Sequence, residues 1–276
     1  MPSINTNVAA IKARSNLDKV QRDMDTSIAR LSSGKRITRA HDDAAGSAIA
    51  GRMESQIRGL TQQVRSAKDG QSLVDTQEGS MQEISSILQR MRELAVQAAN
   101  GSMVSADKDY LNTENIALIA EINAIAKNTK FNDTAVLTGT QFSFYTDIDV
   151  AGTAITTQAA NMAVATLGVA SATVSIGGGV VQAKLSSVVS ALDGALATVD
   201  NRRAALGAVS NRFDHIVDNL QNVIMNTVQS QSRIVDADFS IETTNLTRNT
   251  VLQQAATSML AQANAQKNSV LTLIQQ

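Results

Sequence analysis

No cysteine occurs in the chain, which excludes disulfides, thiolate metal sites and a cysteine nucleophile. Tryptophan is absent and aromatics make up only 3% of the residues, so any core must be aliphatic. The single proline is Pro2; beyond it, no ring removes an amide donor from a helix. An excess of either charge is missing too, since 24 Lys and Arg against 25 Asp and Glu give a net charge of −1. A nucleic-acid binder normally carries a basic excess, and near-neutrality removes the long-range repulsion that would oppose packing many copies together. No apolar run reaches about 18 residues, so no membrane insertion is expected. Met1-Pro2-Ser3-Ile4-Asn5-Thr6-Asn7 lacks a basic stretch leading into an apolar core, and does not read as a Sec-type signal.

What is present is helical seam. In Ala45–Asn100, apolar residues recur at steps of three and four: Ile57, Leu60, Val64, Ala67, Val74, Met81, then Ile84, Leu88, Met91, Ala95, Ala98. Gly59, Gly70 and Gly79 are its expected interior breaks, and Asn100-Gly101-Ser102 ends it. A continuous helix here would be roughly 84 Å long at about 1.5 Å per residue, so something must cover its seam along the whole length. A first helix is predicted over 4–33, with Val20, Met24, Ile28 and Leu31 on its stripe and Ser33-Gly34 at its close. Residues 34–44 form a charged linker in which Asp42 and Asp43 are placed to cap the long helix. A shorter helix follows at Asp107–Lys127.

Residues 134–183 are rich in Thr, Ser, Ala, Val and Gly and nearly uncharged. They are the expected β region, with Phe142, Phe144 and Ile148 alternating, as do Val174 and Ile176, and with Gly177-Gly178-Gly179 as a turn. Helix resumes near Gln182 and runs to about Gln231, residues 232–238 are a second polar linker, and a final helix spans Phe239–Ile274 with Leu252, Met259, Leu260, Val270 and Leu273 on its apolar side. The layout is near-palindromic. It predicts a mainly α fold, long antiparallel helices forming a coiled-coil or bundle rod, with a small β-rich tip in the middle of the chain. The terminal helices carry too few seam residues to offset the entropy of ordering them, so both ends are expected to fold only against other copies.

The sequence offers no catalytic constellation. His41 and His215 are the only histidines, one in a charged linker and one beside Phe213, and both read as structural. Gly177-Gly178-Gly179 lacks the following Gly-Lys-Ser/Thr of a phosphate loop. Three triplets beginning at Asn100, Asn132 and Asn245 match the glycosylation acceptor pattern and are too short to carry a conclusion. No enzyme activity, cofactor or metal is expected.

The ends carry longer strings. Leu31-Ser32-Ser33-Gly34-Lys35-Arg36-Ile37 with Asp42-Asp43-Ala44-Ala45-Gly46 resembles the N-terminal signature of bacterial flagellin. Gln89-Arg90-Met91-Arg92-Glu93-Leu94-Ala95-Val96-Gln97-Ala98 is similar to the family's next block, and Tyr110-Leu111-Asn112 leading into Glu121-Ile122 to the one after. Ser232-Arg233-Ile234, Asp236-Ala237-Asp238 and Gln254-Ala255 through Ser258-Met259-Leu260-Ala261-Gln262-Ala263-Asn264 resemble the C-terminal half. The resemblance covers about 1–137 and 185–276; Thr38-Arg39, Lys267 and the terminal Gln275-Gln276 depart from the family pattern.

The resemblance implies a secreted, extracellular structural subunit that polymerises into the bacterial flagellar filament for motility. Residues 1–44 with 236–276 would form an inner coiled coil, 45–235 an outer rod domain, and 138–184 its short variable segment. The terminal assembly seam would be Val20, Met24, Ile28, Leu31, Leu252, Met259, Leu260, Val270 and Leu273. Implied partners are other flagellin subunits, an export chaperone on the apolar C-terminal helix, cap and hook-junction proteins, and the type III export apparatus. A further implied partner is a flagellin-sensing Toll-like receptor, bound through Gln89, Arg90, Leu94 and Glu114, a patch that would also make lateral filament contacts. The alternatives are a hook–filament junction protein, which shares the terminal-helix design, and a cytoplasmic signalling coiled coil, which would need a tight hairpin tip in place of the uncharged middle.

Overall fold

The computed structural model describes residues 6–145, 154–157, 161–178 and 182–274, with side chains of the last helix as far as Ala265. Five helices account for most of them: α1 (Val8–Ser33), α2 (Ala44–Ala98), α3 (Ser105–Asn128), α4 (Gln182–Val235) and α5 (Phe239–Ile274). Between α3 and α4 lie four short strands, β1 (Lys130–Phe131), β2 (Thr134–Ala135), β3 (Phe142–Phe144) and β4 (Ile155–Thr157). The chain divides into a terminal unit, Met1–Ile57 with Met225–Gln276, and a central unit, Arg58–Ile224. The division falls inside α2 and α4 rather than in the polar linkers.

Local chemistry sets the helix ends. Asn7 caps α1 by accepting from the Ala10 amide at 3.0 Å, and Gly34 closes it at φ 67°, a left-handed conformation open to glycine at little cost. Asp43 caps α2, its Oδ1 accepting from the Gly46 amide at 2.8 Å. Asp42 does something else: one of its oxygens accepts from the Thr38 amide, the Thr38 hydroxyl and the Arg39 amide at 2.9–3.1 Å, folding the linker back on itself.

In the central unit the seam of α2 is buried as its spacing requires. Leu60, Ala67, Leu73, Val74, Met81, Ile84, Leu88, Met91, Leu94, Ala95 and Ala98 are all buried. Leu185, Val188, Leu192, Val199, Leu206 and Phe213 of α4 and Ile119 and Ile122 of α3 share their core. The pairing of α2 with α4 is antiparallel, with Gln71 bonded to Asp214, Glu78 to Arg203 and Arg92 to Asp193.

None of the three glycines breaks α2. At Gly70 a Cβ would come within 2.7 Å of the Phe213 ring and 3.1 Å of Phe144, two rings packed edge to face at 5.7 Å. Glycine there admits an aromatic contact that any side chain would displace. Nothing crowds Gly59 or Gly79, and neighbouring hydrogen bonds carry the helix through both.

The middle is less β than its composition predicts. A two-residue hairpin joins β1 to β2 through Asn132 and Asp133, both at positive φ, and β1 lies just before the expected region. β3 pairs antiparallel with β4, Phe142 opposite Thr157. Ile148 lies outside the described residues. Val174 and Ile176 are not strand residues: they are fully buried in an irregular segment held to α3. Asn115 donates to the Val174 carbonyl at 2.8 Å, and the Ile176 and Gly178 amides donate to Asn112 and Asp109 at 3.1 and 2.7 Å. The turn expected at Gly177 and Gly178 is present, with Gly179 outside the described residues, and a Cβ on Gly178 would meet the Ser105 carbonyl at 2.8 Å, so this glycine also permits docking against the start of α3. Met162, Leu167 and Val169 of the same segment belong to the core.

The second polar linker is shorter than expected, because α4 continues to Val235. It is held against the first: the Arg36 amide donates to the Val235 carbonyl at 2.6 Å, and the Ala237 amide to the Gly34 carbonyl at 3.0 Å.

Candidate functional site

The terminal unit is built from α1 paired antiparallel with α5, together with the adjoining ends of α2 and α4. In the seam predicted for it, Val20, Met24, Leu31 and Leu260 are half-buried. Ile28 keeps 47% of its surface exposed, Leu252 45% and Met259 65%. The side chains of Val270 and Leu273 lie outside the described residues. Val8, Ile11, Phe239, Ile241 and Val251 are also exposed. Among the described residues of this unit, the only buried apolar side chains of any size are Ile37, in the linker, and Ala50. An open groove of about 650 Å³ runs between the two helices, lined by Ala13, Lys19, Val20, Leu252, Ala256 and Met259 among others. Apolar surface displayed in this concentration marks a site of association.

Polar side chains occupy the buried positions instead. Ser27 is the buried residue of α1. Glu242 of α5, 6% exposed, takes a hydrogen bond from Arg30 at 3.0 Å. Sequence reading missed this pair, and no local pattern could have found it, because the partners lie on helices at opposite ends of the chain.

A second surface lies on α2 and α3 in the central unit. Gln89, Arg90 and Glu114 are exposed. Arg90 Nε donates to Glu114 at 2.9 Å and its Nη1 to Glu93 at 3.1 Å. These bonds, first to Glu114 and then to Glu93, push the guanidinium pKa further up, so the charge is fixed at any working pH. Leu94 is not part of that surface. It has no exposure and belongs to the core. Four residues place it on the same stripe as Arg90 by spacing, but Leu94 belongs to the buried core that also holds Ile119 and Ile122 of α3 and Leu192 of α4. The neighbouring Arg92 bonds Asp193 of α4 at 2.6 Å.

The linker carboxylate of Asp42 is pulled down from 3.8 to about 2, chiefly by the Arg39 amide and then the Thr38 hydroxyl. His41 lies 3.2 Å from it, and His215 is exposed on α4. Among the described residues, no group of three or more His, Cys, Asp or Glu side chains could hold a metal ion, and no helix is long and apolar enough to cross a membrane.

Two family profiles match the chain: the bacterial flagellin N-terminal helical region over residues 4–142 and the bacterial flagellin C-terminal helical region over 189–274. A flagellin of Halalkalibacterium halodurans is 39% identical over 272 residues, covering 98% of this chain and 99% of the relative. Flagellin A of Vibrio anguillarum is 32% identical, with 99% of each chain covered. Among solved structures, Bacillus cereus flagellin aligns at a TM-score of 0.50 and 31% identity, over 56% of this chain and 88% of that one. A Vibrio parahaemolyticus protein provisionally named as flagellar hook-associated aligns at 0.61 and 14% identity, over 71% of this chain and 100% of that one; that likeness is one of fold.

Proposed function

The chain belongs to the bacterial flagellin family, as a structural and non-enzymatic subunit of the flagellar filament, and we propose that its terminal unit is the part that other copies complete. It polymerises with other flagellar subunits, and the junction-protein and signalling readings are not favoured. The observation that carries the proposal is the terminal unit's inverted burial: among the described residues, large apolar side chains lie outside and almost none are fully buried. Copies packed along the groove would cover Ile28, Leu252 and Met259, and the removal of that apolar area from water is the driving force. Residues 1–44 with 236–276 then form the inner coiled coil and 45–235 the outer domain.

The same exposed face explains the remaining partners. A chaperone covering Leu252 to Ile274 before export would keep subunits from associating early. Passage as an unfolded chain through the flagellar type III apparatus suits terminal helices that gain most of their stability from neighbours. Cap and hook-junction proteins would present the same kind of terminal helices to the growing polymer. Gln89, Arg90 and Glu114 form a lateral contact patch that a Toll-like receptor reads on free subunits; Leu94 supports that patch from beneath.

Sedimentation and electron microscopy of concentrated protein test the central claim. The unaltered chain forms filaments that elongate from seeds. A soluble monomer at every concentration would refute it.

A further inference from the structure

The described hydrogen bonds that link α1 and its cap to α5 form a polar ladder beside the half-buried Val20, Met24, Leu31 and Leu260. Asn7 donates to the Ala263 carbonyl at 3.1 Å, Gln253 to the Gln21 side chain at 2.6 Å, and Arg30 to Glu242 at 3.0 Å. Just past the end of α1, the backbones of Lys35 and Asp236 form an isolated antiparallel β-bridge. The partners fall in one antiparallel order. Amphipathic helices ordinarily pair through an apolar stripe and leave polar side chains outside. This pair buries Ser27 and Glu242 and leaves Ile28, Leu252 and Met259 largely exposed.

The difference bears on alignment. Apolar stripes of similar residues at similar spacing fit almost as well after a slip of one turn, about 5.4 Å. A buried charge has no such tolerance. Slipped by a turn, the Glu242 carboxylate would lose its guanidinium and be left unpaired out of water, which is strongly unfavourable. Arg30 Nε and Glu242 Oε2 are both buried without a hydrogen-bond partner among the described residues. One is a donor and the other an acceptor, the missing half of a two-bond guanidinium–carboxylate fork.

We propose that Arg30 and Glu242 are the register determinants of the terminal helix pair, admitting one alignment of α1 against α5 and so fixing which apolar side chains face other copies. The first half stands on the helix pair alone; the second rests on the filament reading. Arg30 and Glu242 are positioning residues, and the subunit contacts are made by their apolar neighbours.

The cysteine-free chain allows register to be read directly. Gln21→Cys with Gln253→Cys reports the native alignment, and Gln21→Cys with Thr257→Cys reports a one-turn slip. Each reporter is carried in the full-length protein with Arg30→Glu, with Glu242→Arg, with both, and with the shape-preserving Glu242→Gln. Oxidative cross-linking within the chain is scored beside sedimentation. Each single reversal is expected to lower the ratio of native to slipped cross-link by about tenfold or more, and the double reversal to restore it together with assembly. Glu242→Gln, for which misfolding is not at issue, shifts the ratio in the same direction by less. A ratio indifferent to Glu242→Gln and to the single reversals overturns the proposal, as does a helical double reversal that regains neither alignment nor assembly. Cross-links that respond as expected in a protein that never polymerises would retain the register inference and remove the filament reading; filaments whose cross-links ignore the reversals would do the opposite.

Discussion

The two units are cut from the same material and bury different things. Both contain long, proline-free helices with aliphatic residues at three- and four-residue steps. In the central unit those residues vanish from the surface: Met81, Ile84, Leu88, Met91 and Leu94 have no exposure at all. The terminal unit leaves Met259 and Leu252 outside and encloses Glu242 and Ser27. In the central unit, residues of α3 and of the 161–178 segment share the core of α2 and α4, whereas in the terminal unit the groove between α1 and α5 stays open. Similar apolar spacing therefore yields a closed core in one place and an open apolar surface in the other.

The strongest way to break this comparison is a charge in the terminal seam. Val20→Asp or Leu260→Asp puts an uncompensated carboxylate where copies would meet. No pelletable polymer is expected, while the melting of the central unit stays unchanged. Normal filaments would show that the adhesive surface lies elsewhere.

Truncating one apolar residue in each unit is the next sharpest comparison. Leu94→Ala leaves a cavity in a closed core and is expected to cost about 2–5 kcal/mol in chemical denaturation of the monomer. Met259→Ala should change monomer stability by no more than about 0.5 kcal/mol yet raise the concentration needed for polymerisation. Equal monomer effects would erase the distinction between the units.

Arg90→Ala separates surface function from surface stability. Its ion pairs to Glu114 and Glu93 are exposed, so solvent screens them and folding should be little affected. In a reporter-cell titration, monomer potency at the Toll-like receptor should fall by about tenfold, equivalent to about 1.4 kcal/mol. Unchanged potency of the folded variant would leave the patch with lateral filament contacts alone. Leu94 is unsuitable for this test, since its loss would act through the core.

Within the central unit, Gly70 and Gly79 of α2 should respond with opposite signs. Gly79→Ala meets open space and gains about 1 kcal/mol of helix propensity. Gly70→Ala presses a methyl group into the Phe213 ring, and overpacking of about 1–3 kcal/mol should win. Thermal melts of the two variants compare them directly.

The smallest effect belongs to the linker. Asp42 is depressed when folded, so its contribution is complete above its ordinary pKa of 3.8 and is lost as pH falls toward about 2. Hydrogen exchange at the Thr38 and Arg39 amides should accelerate across that window, and Asp42→Asn should remove the pH dependence.

The sequence by itself determined most of the helical frame. Periodicity alone places α4 and α5 within a few residues of where they lie, because three- and four-residue spacing is a property of the chain and needs no partner to be read. Terminal motifs carried the family. The terminal apolar stripe was legible, though the exposure of Ile28, Leu252 and Met259 was not. Only the tertiary structure decided which side of a stripe is covered. Leu94 is core because it packs in one cluster with residues of α3 and α4, and Val174 and Ile176 are buried without being strands because side chains of α3 hold their backbone. Asp42 ties the linker while Asp43 caps the helix, a division that depends on where single oxygens point. Glu242 is buried because Arg30 meets it from the other end of the chain. Apart from the Asp42 and Asp43 hydrogen bonds, which stay within the linker and the first turn of α2, each of these is a contact between residues far apart in sequence, which no local pattern encodes.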